Sequence, residues 1–275
     1  MYEEILQVIG KKDGPTSMII GGVHGNERCG FEALRDLLPT IEIERGTVFF
    51  AYGNPRAIEK DVRFTEVNLN RMFVDDDKIS ESDKKSYEYK RSLVLKSYLD
   101  KVEVLFDIHA SSIPTSPSFA ICEANAKGIV DYLPTDLVVA GFDDIEPGGT
   151  DGYMNSMGKI GISLECGYLD DSKTTEIAKQ AIFAFLKACG HIKNDLNPRK
   201  QIHIRMYDMY LAKTDSFRLE RQFDNFEILE KGQLIGIDGN QEIRAEKRCL
   251  IVFAHNGKKI GDEVFLLGEE KSSLA

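Results

Sequence analysis

Positive charge is what this chain has too little of. Its 275 residues include 35 lysines and arginines against 45 aspartates and glutamates, a formal net charge of −10. Such a chain gains nothing from the counterion release that drives nucleic-acid binding, and it has no pull toward anionic lipid. Long apolar runs are also missing: the longest are a few residues, far short of the ~20 that span a bilayer. Met1-Tyr2-Glu3-Glu4 lacks a basic stretch followed by an apolar core, so no secretory signal is expected and the cytoplasm is the expected location. The five cysteines, Cys29, Cys122, Cys166, Cys189 and Cys249, are odd in number and show no CxxC spacing. They argue for reduced thiols rather than a disulfide scaffold or a thiolate zinc site. What remains as a partner is a small polar molecule, not nucleic acid and not a membrane, with homo-oligomerisation left open.

What is present is enough for a substantial core. Hydrophobic residues make up 42% and charged residues 29%, ordinary for a globular protein of this size. Up to about residue 190, strand-like and helix-like segments alternate. Residues 17–20, 47–52, 102–108, 136–140 and 160–164 read as strands. Residues 26–38, 82–98 and 174–189 read as helices, the second with Tyr87, Val94, Leu95 and Tyr98 facing inward. This order predicts an α/β fold with a mixed sheet flanked by helices, over residues 1–193. After a linker near residues 194–198 come short strand-like runs at 202–211, 226–229, 234–237, 242–245, 250–253 and 264–267, punctuated by glycines. They predict a small C-terminal all-β module, residues 194–275, expected to wall the entrance of an active site. A carrier-lysine reading of Ala245-Glu246-Lys247 is disfavoured, because the Met-Lys-Met type of hairpin is missing.

Four places carry chemistry. His24-Gly25-Asn26-Glu27 lies where a predicted strand passes through glycines into a helix, the edge at which open α/β sheets bind ligands. An imidazole and a carboxylate three positions apart can converge on one Zn²⁺, although His-x-x-Glu alone is a common accident. In Asp107-Ile108-His109, period-two geometry puts Asp107 and His109 on one side of a strand. His109 then offers a third ligand and Asp107 an orienting acceptor; the plain alternative is a strand-end histidine bonded to a nearby acid. Two histidines and one glutamate leave a coordination position open for water. Glu165 ends an apolar strand before Gly167 and could move a proton beside such a water, or simply be an edge glutamate. Arg63, Asn70 and Arg71 form an anion-binding set or a solvated basic loop. One of the arginines could polarise a carbonyl. His191, His203 and His255 fit no ligand pattern and are expected to be structural or exposed, and Cys166 a buried small residue.

Taken together, Gly22-Val23-His24-Gly25-Asn26-Glu27, Asn54-Pro55-Arg56-Ala57, Leu69-Asn70-Arg71-Met72-Phe73, Asp107-Ile108-His109 and Leu164-Glu165-Cys166-Gly167 resemble the succinylglutamate desuccinylase/aspartoacylase family, a branch of the carboxypeptidase A-like zinc hydrolases. The resemblance implies a zinc carboxypeptidase-like fold and one Zn²⁺ per subunit, held by His24, Glu27 and His109. It implies Glu165 as general base and then acid, Arg63 at the oxyanion, and Asn70 and Arg71 on a substrate carboxylate. The implied reaction is hydrolysis of the amide of a small N-acyl amino acid or related N-acyl amine. A zinc metallocarboxypeptidase acting on peptides and a non-catalytic binding protein on the same fold are the alternatives. Two departures stand out. Asn68 occupies the place of the family's usual Asp, and residues 141–164 contain Lys159 but none of the arginine that the aspartoacylase branch uses there. Whether the substrate carries one or two carboxylates is left open.

Overall fold

The computed structural model describes residues 5–274, so the expectation drawn from Met1, Tyr2, Glu3 and Glu4 lies outside it. In chain order the first part contains β1 (Ile5–Ile9), β2 (Lys12–Gly21), α1 (Arg28–Leu37), β3 (Arg45–Tyr52), α2 (Pro55–Lys60) and α3 (Tyr87–Leu99). Next come β4 (Val104–Ser111), β5 (Phe119–Cys122), α4 (Lys127–Val130), β6 (Leu137–Ala140), α5 (Phe142–Ile145), α6 (Thr150–Ser156), β7 (Ile160–Tyr168) and α7 (Thr174–Ala188). The remainder holds only strands: β8 (Ile202–Leu211), β9 (Arg218–Leu219), β10 (Glu227–Leu229), β11 (Leu234–Asp238), β12 (Gln241–Arg244), β13 (Cys249–Val252) and β14 (Glu263–Lys271).

Eleven strands form one mixed sheet in the order β1-β3-β2-β4-β7-β5-β6-β8-β14-β13-β10. Its centre, β3-β2-β4-β7, is parallel. Period-two alternation explains why both faces are covered. Ile19, Phe50, Phe106 and Leu164 point to one face, where α1 and α7 supply Leu34, Ile182 and Phe185. Met18, Ile20, Phe49 and Leu105 point to the other, where α3 and α6 supply Leu95, Leu99 and Met154. Phe106 and Phe185 stack with ring centroids 4.9 Å apart. Beyond residue 193, β8 pairs in parallel with β6, and β14, β13 and β10 follow it outward. The three strands β12-β11-β9 form a separate small sheet. Among the described residues, no helix is long and apolar enough to cross a membrane.

One expected face turns out differently. Leu95 is buried as expected, but Val94 is 44% exposed, and α3 also buries Glu88, Arg91, Ser92 and Leu99. The helix docks through polar groups, which apolar periodicity does not register. Arg91 donates from Nε to the Gly53 carbonyl at 3.0 Å and from Nη2 to the Tyr52 carbonyl at 2.8 Å. Glu88 Oε1 accepts from the Thr65 amide (2.7 Å), the Thr65 hydroxyl (2.6 Å) and Asn54 Nδ2 (3.2 Å). Asn54 Oδ1 in turn caps α2 at the Ala57 amide. A single buried carboxylate thus anchors the loop that carries Arg63 and Asn68. Burial pushes the Glu88 pKa up, but the hydrogen bonds from Thr65 and Asn54 outweigh it and hold the pKa below the usual carboxylate range.

Replacing Glu88 by Ala leaves these donors buried without an acceptor and is expected to cost about 3 kcal/mol in urea unfolding. A carboxylate with a lowered folded pKa contributes stability above its unfolded pKa and loses it as pH falls through the folded value. The deficit of Glu88→Ala relative to wild type should therefore shrink below about pH 4. A variant as stable as wild type at pH 7 would show that the loop does not depend on this anchor.

Candidate functional site

β2 ends at Gly21, and the chain turns through residues 22–27 before α1 begins. The turn is tight. A Cβ on Gly25 would stand 2.1 Å from the Ala57 carbonyl carbon, so only glycine lets the loop pass under α2. The Gly25 amide donates to the Arg63 carbonyl at 3.2 Å, which joins the two loops. Glu27 sits at the N-cap of α1 but caps nothing with its side chain; the carboxylate turns back over the strand ends.

There it meets both histidines. His24 Nδ1 lies 2.8 Å from Glu27 Oε1, and His109 Nδ1 lies 2.9 Å from Glu27 Oε2. Ligand-type atoms of His24, Glu27 and His109 all fall within 4.8 Å of one another, and all three residues are buried. The far ring nitrogens face oxygen acceptors: His24 Nε2 is 3.0 Å from Asn68 Oδ1, and His109 Nε2 is 3.1 Å from Asp107 Oδ2. The Asn68 acceptor favours a proton on His24 Nε2 and leaves the His24 Nδ1 lone pair aimed at Glu27, while His109 lies between two carboxylates. Asn68 thus supplies a neutral acceptor to His24 from the position where the family pattern has Asp. Asp107 also accepts a 2.5 Å hydrogen bond from the Thr150 hydroxyl, at the start of α6.

The charges follow from this packing. Burial works against ionisation of Glu27, yet the charge and hydrogen bonds of His24 and His109 hold its pKa well below the usual range. Burial would likewise depress His109, but Asp107 and Glu27 raise its proton affinity well above that of a free imidazole. His24, with no carboxylate behind it, is shifted down by burial. In register with His109 on the neighbouring strand stands Glu165. Burial and the negative charge of Glu27 push its pKa up to about 8. Its Oε2 is buried without a hydrogen-bond partner.

The anion-binding set is split. Arg63 donates from Nη1 to Glu27 Oε1 at 2.7 Å. Arg71 is pinned between Glu146 and Glu263, the latter 2.6 Å from Nη2. Asn70 stands beside it with Oδ1 buried and unpartnered. All these groups line one cavity of about 1350 Å³, which residues after 193, among them Phe253, His255 and Glu263, also border. His255, expected to be structural or exposed, is exposed and also borders this cavity. His191 is structural, bonding the Ser17 hydroxyl and the Arg45 carbonyl. Cys166 is fully buried, and burial drives its thiol pKa far up, leaving an inert packing group.

The sequence from residue 13 to 189 matches the family model described as the succinylglutamate desuccinylase/aspartoacylase catalytic domain. The chain belongs to this family. One relative is the N-acyl-aromatic-L-amino acid amidohydrolase (carboxylate-forming) of Xenopus tropicalis, 31% identical over 166 residues. That match covers 54% of this chain and only about half, 53%, of the relative. The succinylglutamate desuccinylase of Shewanella sp. (strain MR-4) is 25% identical over 284 residues, covering 92% of this chain and 82% of that protein. The crystal structure of succinylglutamate desuccinylase from Vibrio cholerae superposes with a TM-score of 0.82 at 21% identity, over 97% of this chain and 85% of that one. At that identity the likeness concerns the fold, and it covers the mixed sheet and the β-rich end alike.

Within this family frame, further carboxylates that the motifs did not reveal line the same cavity. They are Glu123, Asp143, Glu146 and Asp151. The one local signal was Gly148-Gly149-Thr150-Asp151-Gly152, an acid hemmed in by glycines. Burial, then the nearby charge of Asp143, raise the Asp151 pKa to about 6. An acid with a raised folded pKa binds its proton more tightly folded than unfolded, so stability declines as pH rises from the unfolded pKa through the folded one. Asp151→Asn is expected to be more stable than wild type by about 3 kcal/mol above pH 7 and to lose that advantage near pH 4. Equal urea midpoints for the two proteins at pH 7.5 would contradict this.

Proposed function

We propose that the protein is a zinc-dependent hydrolase that cleaves the amide bond of a small N-acyl amino acid or related N-acyl amine. The observation that carries the reading is the convergence of two imidazole Nδ1 atoms on one buried carboxylate, with Glu165 across the strand boundary. The fit to a divalent cation rests on an orphaned atom. His24 Nδ1 is buried with no hydrogen-bond partner although Glu27 Oε1 is 2.8 Å away, a spacing at which two lone pairs face each other. Two imidazoles and a carboxylate are the donor types zinc takes at a catalytic position with one site left for water. His24, Glu27 and His109 would hold the ion, with Asn68 and Asp107 fixing the ring tautomers.

Bound there, zinc would polarise the amide carbonyl and make water a nucleophile at neutral pH. Glu165 takes the water's proton on its carboxylate and delivers it to the leaving nitrogen. Its raised pKa suits that task, since a proton carrier works best with an affinity near the operating pH. Arg63, half-exposed beside Glu27, turns toward the carbonyl oxygen as charge develops on it. Asn70, farther along the same wall, contacts the amino-acid portion, with Arg71 behind it. The activities named for the two relatives support the class of reaction, because both remove an acyl group from an amino acid. The segment between β13 and β14 borders the cavity, and in this reading it limits access to small substrates. Free thiols at all five cysteines support a reducing, cytoplasmic setting.

Three measurements test this reading. Metal analysis is expected to give one zinc per chain, and chelation to abolish hydrolysis and lower the melting temperature, both restored by added Zn²⁺. His24→Ala should lose the metal. Glu165→Gln should keep it while kcat falls roughly 10²–10⁴-fold. A fully active Glu165→Gln protein would remove Glu165 from the mechanism, and a protein that stays metal-free and inactive with added Zn²⁺ would remove the reaction.

A further inference from the structure

Of residues 146–153, Thr150 is the one that does not line the cavity. Its side chain is directed into the protein instead. Thr150 is fully buried, and its hydroxyl donates to Asp107 Oδ2 at 2.5 Å. The placement is firm, because α6 rests directly on β7. A Cβ on Gly161 would stand 2.3 Å from the Asp151 carbonyl oxygen. Asn155 Oδ1 accepts from the Gly161 amide at 3.2 Å, and Met154 of the same helix sits in the core. The start of α6 is thus fixed against the strand that pairs with β4.

The Asp107 carboxylate gives that hydroxyl something to decide. It is fully buried, and its Oδ1 has no hydrogen-bond partner. His109 Nε2 lies 3.1 Å from Oδ2 but out of hydrogen-bond alignment. The Thr150 hydroxyl is therefore the contact that distinguishes the two oxygens and keeps Oδ2 turned toward the imidazole. Behind the other imidazole the same construction is made from different parts. Asn68 Oδ1, 3.0 Å from His24 Nε2, also accepts from the Asn70 amide at 3.0 Å. There the second donor is a backbone group two residues away; behind His109 it is a side chain 43 residues away. An imidazole that holds an ion through one nitrogen is oriented through the other, and losing the groups that orient it typically weakens metal binding about 10- to 100-fold.

We propose that Thr150 is a positioning residue of the metal site: it fixes the Asp107 carboxylate behind His109 and so tightens zinc binding, touching neither the ion nor the substrate. This rests on the zinc reading above and adds to it a residue from α6.

The test is the zinc affinity of the full chain, stripped of metal with a chelator and titrated with Zn²⁺ against a chromogenic competitor. Thr150→Val keeps the shape, removes the hydroxyl and is expected to weaken zinc binding roughly tenfold. Thr150→Ser restores a hydroxyl and should recover most of that loss. In an Asp107→Ala background, Thr150→Val should have no further effect, because residues that act as one unit are not additive. Co²⁺ in place of zinc adds a spectroscopic readout: its visible absorption should change in Thr150→Val and return in Thr150→Ser. If Thr150→Val does not fold, Thr150→Ala takes its place, since it removes the hydroxyl without setting a methyl against the carboxylate. Wild-type zinc affinity in the hydroxyl-free variant, or a Thr150→Ser protein equally weakened, overturns the positioning role and leaves the zinc reading standing. A full Thr150→Val effect in the Asp107→Ala background overturns it too, because the threonine would then act by another route. A wild-type protein that takes up no Zn²⁺ overturns both.

Discussion

A carboxylate buried between two imidazoles, a backbone amide and an arginine organises this protein. Glu27 is almost without solvent exposure, and an ionised carboxylate in such a place is tolerated only when it is fully bonded. Its partners are His24 from the same loop, His109 and the Ala110 amide from β4, and Arg63 from the loop after α2. No two of these segments are adjacent in sequence, so the carboxylate is satisfied only when β2, β4 and the Arg63 loop are all in register. The dependence continues outward: Arg63 and Asn68 are placed by the anchoring of residues 65–67 on Glu88. Metal-type donors at the centre are therefore held by polar contacts two layers deep, and the apolar core supplies the rigid strand ends on which those contacts are built.

The same logic explains what could be read from the chain before its structure was known. The central strands and the helices α1 and α7 were legible because their apolar residues repeat with the period of the element. His24, Glu27, Asp107, His109 and Glu165 were legible because each sits at or just past such a strand, and two of them lie on one strand face. Strand β5 was not legible, since Phe119-Ala120-Ile121-Cys122 is four residues long, buried on both sides and without alternation. The face of α3 was legible only in part, at Leu95, because it is otherwise fastened by Glu88 and Arg91. Strand β8 was found within its limits, but its pairing with β6 depends on a neighbour more than sixty residues away, which no local pattern encodes.

Arg71 shows the limit most sharply. An arginine in an acidic chain reads as an anion receptor, and its neighbour Asn70 strengthens that reading. In the folded protein its guanidinium is neutralised from two directions, by Glu146 before α6 and by Glu263 at the start of β14. Those partners lie 75 and 192 residues along the chain. Burial raises the Glu146 pKa to about 7 despite Arg71, and the charge of Glu263 adds to that rise. The sign of a pocket is thus a sum over elements, and a motif reports only one term of it.

Excess negative charge also has a consequence for what the fold can give up. Buried acids with raised pKa values destabilise the folded state above those values, and replacing Asp151 with its amide would relieve that at no cost in volume. Carboxylates that weaken a fold are expected to persist where a ligand restores what they lose, since binding to the folded state alone is itself stabilising. The histidine side of the cavity obeys the same rule with opposite emphasis: Asp107 and Glu27 raise the proton affinity of His109 until positive charge is present between them. The ligand-type atoms of His24, Glu27 and His109 lie within 4.8 Å of one another, so the one place where the fold gathers imidazole and carboxylate this closely is also the place where a single shared cation would relieve the most charge.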